Sequence, residues 1–135
     1  MKSGTTFVQL TVLSASQTPG VLQESIGLAA DIAWTKGEPR EHGGVHGQHG
    51  LRYGSGLGPQ ATLNEHLARL IERLSSSAGE IRALVGCGDV MISCALYREA
   101  SNIGVFVDAD LLERISALGA SLDLDIYSLT DDAPQ

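Results

Sequence analysis

The sequence is short of the residues that mark disulfide-stabilised, nucleic-acid-binding and membrane proteins. Cysteine occurs only at Cys87 and Cys94, without metal-type pairing, so we expect a reduced, cytoplasmic protein. Nine basic residues stand against 16 acidic ones, a formal net charge of −7, which argues against nucleic acid and anionic membranes as partners. The N-terminus lacks the apolar core of a signal peptide, and no apolar run approaches the length of a membrane span.

What is present fits one acidic globular domain. The length of 135 residues is that of a single domain, which can bury a sizeable core without disulfides or metals. We expect this domain to cover residues 1–135, with an ordered core over residues 6–129.

The clearest structural pattern begins at Asp108. Its carboxylate can cap a helix by accepting from free backbone N–H groups, and residues 111–118 then place four apolar side chains at helical spacing. Gly119 suits the left-handed position that ends a helix. Residues 122–127 alternate apolar and polar side chains, which predicts a strand with one buried face and one exposed face.

Similar patterns predict the remaining elements. We expect strands at residues 7–13, 31–36, 90–96 and 103–107, a further short strand at 51–53, and helices that begin near Thr18, Thr62 and Ser77. The pairs Thr62 and Glu65, and Ser77 and Glu80, have the spacing of capping boxes.

This order of elements predicts the fold class. A hairpin of residues 90–96 and 103–107, joined by a turn at 101–102, favours an α+β fold with helices layered on one face of a mostly antiparallel sheet, in a ferredoxin-like arrangement. Residues 22–26 resemble residues 111–115 in sequence. That similarity would fit two pseudo-repeated strand–helix–strand units.

Three stretches resemble one bacterial family. They are residues 118–129 (LGASLDLDIYSL), the two-helix run after Leu63, and residues 34–37 (WTKG). Together they are similar to the family of small bacterial proteins catalogued as domain of unknown function 4279, over roughly residues 7–129. The resemblance implies a compact bacterial domain, and it implies no activity, cofactor or catalytic residue.

The densest cluster of potential metal ligands lies in a Gly- and His-rich loop at residues 37–58. It consists of His42, His46, His49 and Glu41. Imidazole binds zinc and other transition metals, and three protein ligands with an open position are typical of catalytic zinc. The glycines disfavour a helix here, and a flexible loop loses entropy when it closes around a metal. The alternative is a surface loop without metal, and we predict no required cofactor.

Two further pairs are candidate binding residues. Asp123 and Asp125 would lie about 7 Å apart on one strand face, which suits an acid–base pair around a water, although a solvated strand face is the commoner arrangement. Trp34 and Tyr53 flank the long loop, where either could anchor a ligand or a partner. Alternatively, both cover the edge of the core.

The sequence favours a non-enzymatic binding or interaction domain, with a protein partner or a homodimer. No catalytic constellation is assembled in it, and long loops on a rigid scaffold often carry recognition. One alternative is a small metal-dependent hydrolase that uses the His-rich loop with Glu41 as base. Another is a regulatory dimer that binds a small ligand.

Overall fold

A computed structural model of the protein describes residues 4–99 and 104–128. The strands in these residues are β1 (Thr5–Ser14), β2 (Ile32–Trp34), β3 (His49–Gly54), β4 (Asp89–Arg98) and β5 (Ser121–Ser128). The α-helices are α1 (Pro19–Ile26), α2 (Leu63–Leu74), α3 (Ala78–Ala83) and α4 (Ala109–Ala117), with 3-10 turns at Ser75–Ser77 and Leu84–Gly86.

The strands form one sheet in the order β2-β3-β1-β4-β5. Neighbouring strands are antiparallel except β4 and β5, which are parallel and are connected through α4. The predicted α+β class with a mostly antiparallel sheet is confirmed. The two strand–helix–strand units differ, since β3 separates β1 from β2 whereas β4 and β5 are neighbours. The ferredoxin-like arrangement stays a prediction.

The core lies between one face of the sheet and the helices. Alternation along β1 buries Val8, Leu10 and Val12 on this face, because successive strand residues point to opposite sides. Their register partners on β3 and β4 are also buried, and α1, α2 and α4 contribute apolar side chains to the same cluster. We call the other side of the sheet the open face. It carries the odd-numbered residues of β1, β4 and β5 and the even-numbered residues of β2 and β3.

Most helix ends carry the caps that the sequence predicts. Thr18 accepts a hydrogen bond from the first turn of α1, and Gly27 ends that helix with φ of 79°. Thr62 and Glu65 form both bonds of a capping box at α2. The predicted box at Ser77 is wrong, because its side chain makes no capping bond and a 3-10 turn leads directly into α3.

The region around α4 gives the main correction. Asp108 Oδ1 accepts from a backbone N–H of the first turn at 2.9 Å, and Gly119 has φ of 73°, so both predicted ends of α4 are confirmed. The strand predicted at residues 103–107 is wrong in its described part, because residues 104–107 form no strand. The predicted hairpin is therefore also wrong. The rest of that segment and the turn at 101–102 lie outside the described residues.

Partial burial explains why residues 104–107 alternate without forming a strand. It also explains why the apolar face of β5 is more exposed than predicted. Val105 and Val107 pack against the core while the chain runs irregularly into α4, so alternation here does not require a sheet partner. On β5, Leu122 is half-buried, but Leu124 and Ile126 are 37% and 44% exposed. β5 is the edge of the sheet, and the core covers only its beginning.

A cluster of charges fixes the start of β2 against α2. The Asp31 carboxylate accepts two hydrogen bonds from the Arg73 guanidinium, at 2.8 and 2.9 Å, and a third from the Gly54 N–H at 2.7 Å. The bonds from Arg73 and Gly54 lower the pKa of Asp31. Arg73 also donates to the Gly54 carbonyl, so the cluster joins β2, β3 and α2 and holds the strand that carries Trp34.

Candidate functional site

Residues 35–48, which we call the covering loop, connect β2 to β3 and lie over one end of the open face. The Gly37 N–H donates to the His46 carbonyl at 2.8 Å, and the His46 N–H donates to the Glu38 carbonyl at 2.9 Å. An isolated antiparallel bridge reinforces this pairing. The loop predicted at residues 37–58 thus begins with a small hairpin, and the short strand predicted at 51–53 within it is confirmed as part of β3.

Two glycines form the tip of the covering loop. Gly43 and Gly44 have φ of 108° and 74°, a region that side chains disfavour and glycine tolerates. The Arg40 N–H donates to the Gly44 carbonyl across this turn at 2.9 Å. The glycines that suggest flexibility in the sequence thus build a defined turn.

Trp34 anchors the covering loop on the sheet. It pairs with Gly50 in the register of β2 and β3, and a Cβ at Gly50 would clash with the indole Cζ2. The indole therefore lies directly on the Gly50 backbone, where a larger residue would not fit. Its Nε1–H donates to the Gln48 carbonyl at 3.1 Å, and the His46 ring stacks on it with centroids 4.7 Å apart. Trp34 is 8% exposed.

Arg52 lies beside this stack on the open face. Its guanidinium carbon is 5.0 Å from the Trp34 ring centroid, a distance at which the charge is attracted to the ring. Its Nε is buried and has no hydrogen-bond partner among the described residues. Arg52 is also opposite Thr11 of β1 in the strand register, so its side chain borders the middle of the sheet.

Two clefts adjoin this group. The first has a volume of about 270 Å³, between the covering loop and a floor formed by open-face residues of β1 and β4. The second has a volume of about 380 Å³ and lies toward the loop tip, where Glu41 and His42 border it. Four side chains border both clefts: Trp34, Arg40, His46 and Arg52. The structure therefore concentrates an aromatic pair and two guanidinium groups at one place.

The three loop histidines have different surroundings. His46 stacks on Trp34, the Nδ1 of His49 accepts from the Lys36 N–H at 3.0 Å, and His42 is exposed at the tip. In residues 4–99 and 104–128, no group of three His, Cys, Asp or Glu side chains could hold a metal ion. The loop histidines and Glu41 are therefore not brought together as a ligand set.

The other predicted binding residues are separated from one another. Tyr53 faces the helices, is fully buried, and donates its hydroxyl to the Leu28 carbonyl at 2.7 Å, so a surface ligand does not reach it. Asp123 and Asp125 are exposed on the open face of β5. Three strands, β4, β1 and β3, separate them from β2, which carries Trp34.

Exposed aromatic rings occupy the other end of the open face. Phe7 meets Tyr97 edge to face with centroids 6.1 Å apart, and Tyr97 stacks on Tyr127 at 4.8 Å. Phe7 and Tyr127 are 53% and 46% exposed. This strip borders neither cleft and forms a separate apolar surface.

Sequence reasoning missed a buried pair that has the chemistry of a nucleophile and a base. Ser55 Oγ and His66 Nδ1 are 2.6 Å apart, and both residues are buried. Burial lowers the pKa of His66, although the backbone of Gly58 and Thr6 and the charge of Glu65 oppose the shift. The position of His66 in the apolar stripe of α2 was a usable sign of burial. The pair borders neither cleft and joins the end of β3 to α2.

The comparison with known families finds a match over nearly the whole chain. The model of the family Domain of unknown function (DUF4279) matches residues 4–129. The chain belongs to this family. No curated protein and no solved structure is significantly similar to the chain.

In this DUF4279 protein, the covering loop and the open face are the features from which a function can be argued. No helix within the described ranges is long and apolar enough to cross a membrane.

Burial raises the pKa of the Cys94 thiol to about 12, so the thiol stays protonated and packs as a small apolar group.

We expect Gly50→Ala to displace Trp34. The added methyl group would occupy the position of the indole, so the tryptophan becomes exposed to water and the free energy of unfolding falls by about 1–3 kcal/mol. Because Trp34 is the one tryptophan in the sequence, its fluorescence emission should shift to longer wavelength. Gly47→Ala is the matched control, since a Cβ at Gly47 meets nothing within 4 Å. Unchanged emission in Gly50→Ala would contradict this packing.

We expect His66 to make stability depend on pH between pH 7.5 and 5.5. Burial lowers the pKa of His66 below the usual imidazole value of 6.5, so below about pH 6.5 the unfolded chain takes up the proton more readily than the folded protein. The free energy of unfolding therefore decreases as the pH falls, by at most about 1.4 kcal/mol per pH unit for one proton. Above that pH the contribution is fully present. The lowered pKa values of Asp31 and Glu65 affect stability only at lower pH, because the usual pKa values of these carboxyl groups are 3.8 and 4.5.

Urea unfolding at both pH values measures this effect. His66→Gln should flatten the pH dependence, whereas His42→Gln, which changes an exposed histidine, should leave it unchanged. The same pH dependence in His66→Gln and the parent protein would assign the loss to other groups.

Proposed function

We propose that this protein is a non-enzymatic binding domain whose recognition site is the first cleft, between the covering loop and the open face. The observation that carries the proposal is the packing of Trp34 on Gly50, because it holds an ordered loop above a concave part of the sheet. Ligand sites are typically concave, largely preformed, and lined by apolar groups with a few placed polar groups.

The lining of the first cleft has this mixed character. Thr11 and Ser93 place hydroxyl groups on its floor, Leu13 and Met91 place apolar groups there, and Arg52 closes one side. These residues come from three adjacent strands, β1, β3 and β4. A site on rigid strands keeps its geometry before the ligand arrives, which lowers the entropic cost of binding.

A non-enzymatic role is supported by the separation of the reactive groups. The Ser55–His66 pair is buried away from both clefts, and the Cys94 thiol is buried and protonated. His46, the one histidine that borders the first cleft, has its ring stacked on Trp34. A general base must reach the proton that it removes, and Thr11 and Ser93 have no neighbouring carboxylate among the first cleft's lining residues.

The two alternatives have less support. A metal-dependent hydrolase would need the loop histidines to converge, and His46 and His49 have other contacts. A homodimer through β5 would use the exposed Leu124 and Ile126. However, if two β5 strands pair antiparallel with Leu124 opposite its own copy, Asp123 of each strand lies opposite Asp125 of the other. Like charges directly opposite each other are destabilising.

Protein-observed NMR with a library of soluble fragments tests the proposal. We expect the shifts caused by bound fragments to cluster at Thr11, Gly47 and Arg52. His46→Ala should weaken those fragments by roughly two- to tenfold, because an aromatic contact contributes about 0.5–1.5 kcal/mol. Val45→Ala is the matched control, since this exposed loop residue borders neither cleft.

Two results would contradict the proposed site. One is the absence of any fragment that binds. The other is a set of shifts at a different concavity, such as the groove that Val85 and Leu112 border beside α4.

A further inference from the structure

The chemistry of the first cleft is set by an unsatisfied donor. The Nε–H of Arg52 is buried and has no hydrogen-bond partner among the described residues. A buried donor without a partner costs free energy, and most such groups are satisfied by protein, water or an ion. The stack on Trp34 holds the Arg52 guanidinium in place but supplies no acceptor oxygen.

A second guanidinium borders the same space without a carboxylate partner. The salt bridges in the described residues join Arg69 to Glu72, Arg73 to Asp31, and Arg114 to Asp110. Arg40 and Arg52 form none with a described carboxylate. The chain has a formal net charge of −7, but two unpaired guanidinium groups make this cleft locally positive.

Glu41 is the acidic residue that borders a cleft together with this pair. Glu41 borders the second cleft with Arg40 and Arg52, but it does not border the first. A ligand in the first cleft therefore meets both guanidinium groups and no acidic side chain of its lining. The hydroxyl groups of Thr11 and Ser93 on the floor add further hydrogen-bond donors.

The rest of the first cleft favours a ligand with an apolar part. Leu13 and Met91 line its floor, and the Trp34 and His46 rings line its loop side. Its volume of about 270 Å³ is suited to a small molecule. Guanidinium groups bind carboxylates and phosphates through pairs of charge-assisted hydrogen bonds.

We propose that the first cleft binds a small molecule in which a carboxylate or phosphate group is attached to a compact apolar or aromatic part. Arg52 and Arg40 hold the anionic group, and Trp34, Leu13 and Met91 contact the apolar part. This inference rests on the proposed function and names the class of ligand that the same site takes.

Titration of the full chain with benzoate, phenyl phosphate and benzamide tests the inference, with Trp34 fluorescence and calorimetry as readouts. We expect at least one of the two anions to bind at least about tenfold more tightly than the neutral benzamide. A neutral analogue leaves the guanidinium groups of the site without a charged partner. The preferred anion decides between a carboxylate and a phosphate ligand. Binding should weaken as the salt concentration rises.

Variants locate the binding. Arg52→Gln and Arg40→Gln should each weaken binding of the preferred anion by about tenfold. Arg40 is an exposed loop residue, so its replacement should leave the packing of Trp34 intact. Arg69→Gln, on the exposed side of α2, is the matched control and should leave affinity unchanged. Glu41→Gln should leave it unchanged or raise it.

Each other outcome overturns a defined claim. Equal binding of benzamide and the anions would overturn the anionic class and leave the proposed binding site in place. Failure of all three probes, while fragments still bind at the first cleft, would also overturn only the anionic class. Failure of the probes and of all fragments would overturn the proposed function as well.

Discussion

The packing of the Trp34 indole on the Gly50 backbone is the contact on which the candidate site depends. A β2 of three residues has few hydrogen bonds of its own, and its position relies on the Asp31–Arg73 cluster at one end and on Trp34 at the other. Because Gly50 has no side chain, the indole can lie flat against the sheet. It then provides a surface on which His46 stacks, so the covering loop is tied to the open face by a side chain rather than by strand pairing.

This contact also explains why two positively charged side chains lie at the same end of the open face. Arg52 lies beside the indole, and the covering loop brings Arg40 to the same place through the turn at Gly43 and Gly44. No described acidic side chain lines the first cleft, and Asp123 and Asp125 lie on the far edge of the sheet. A chain with a negative overall charge thus has a concave region bordered by two guanidinium groups that form no ion pair with a described carboxylate. Such a contrast between local and overall charge favours selective binding of a small anion.

Local signals made the helices and strands predictable, and non-local contacts limited the rest. Caps at Thr18, Thr62 and Asp108 lie within a few residues of the groups that they bind, so the sequence alone was sufficient for them. Residues 104–107 alternate like a strand, but pairing with a distant partner decides whether a strand forms, and β4 pairs with β1 and β5 instead. The site was harder still, since Trp34 is recognisable as an aromatic near a loop, whereas its contact with Gly50 depends on the register of β2 and β3. Arg52, two positions beyond Gly50, carried no signal of its own.

Amide hydrogen exchange of the covering loop tests most directly whether the site is preformed. The amides of Gly37 and His46 donate to carbonyls across the loop, so they should exchange far more slowly than those of an open chain, and Trp34→Leu should abolish this protection while the core amides of β1 stay protected. Rapid exchange at both amides in the unsubstituted protein, with β1 protected, would contradict the account. It would mean that the covering loop is open in solution and that the cleft has no fixed shape before a ligand binds.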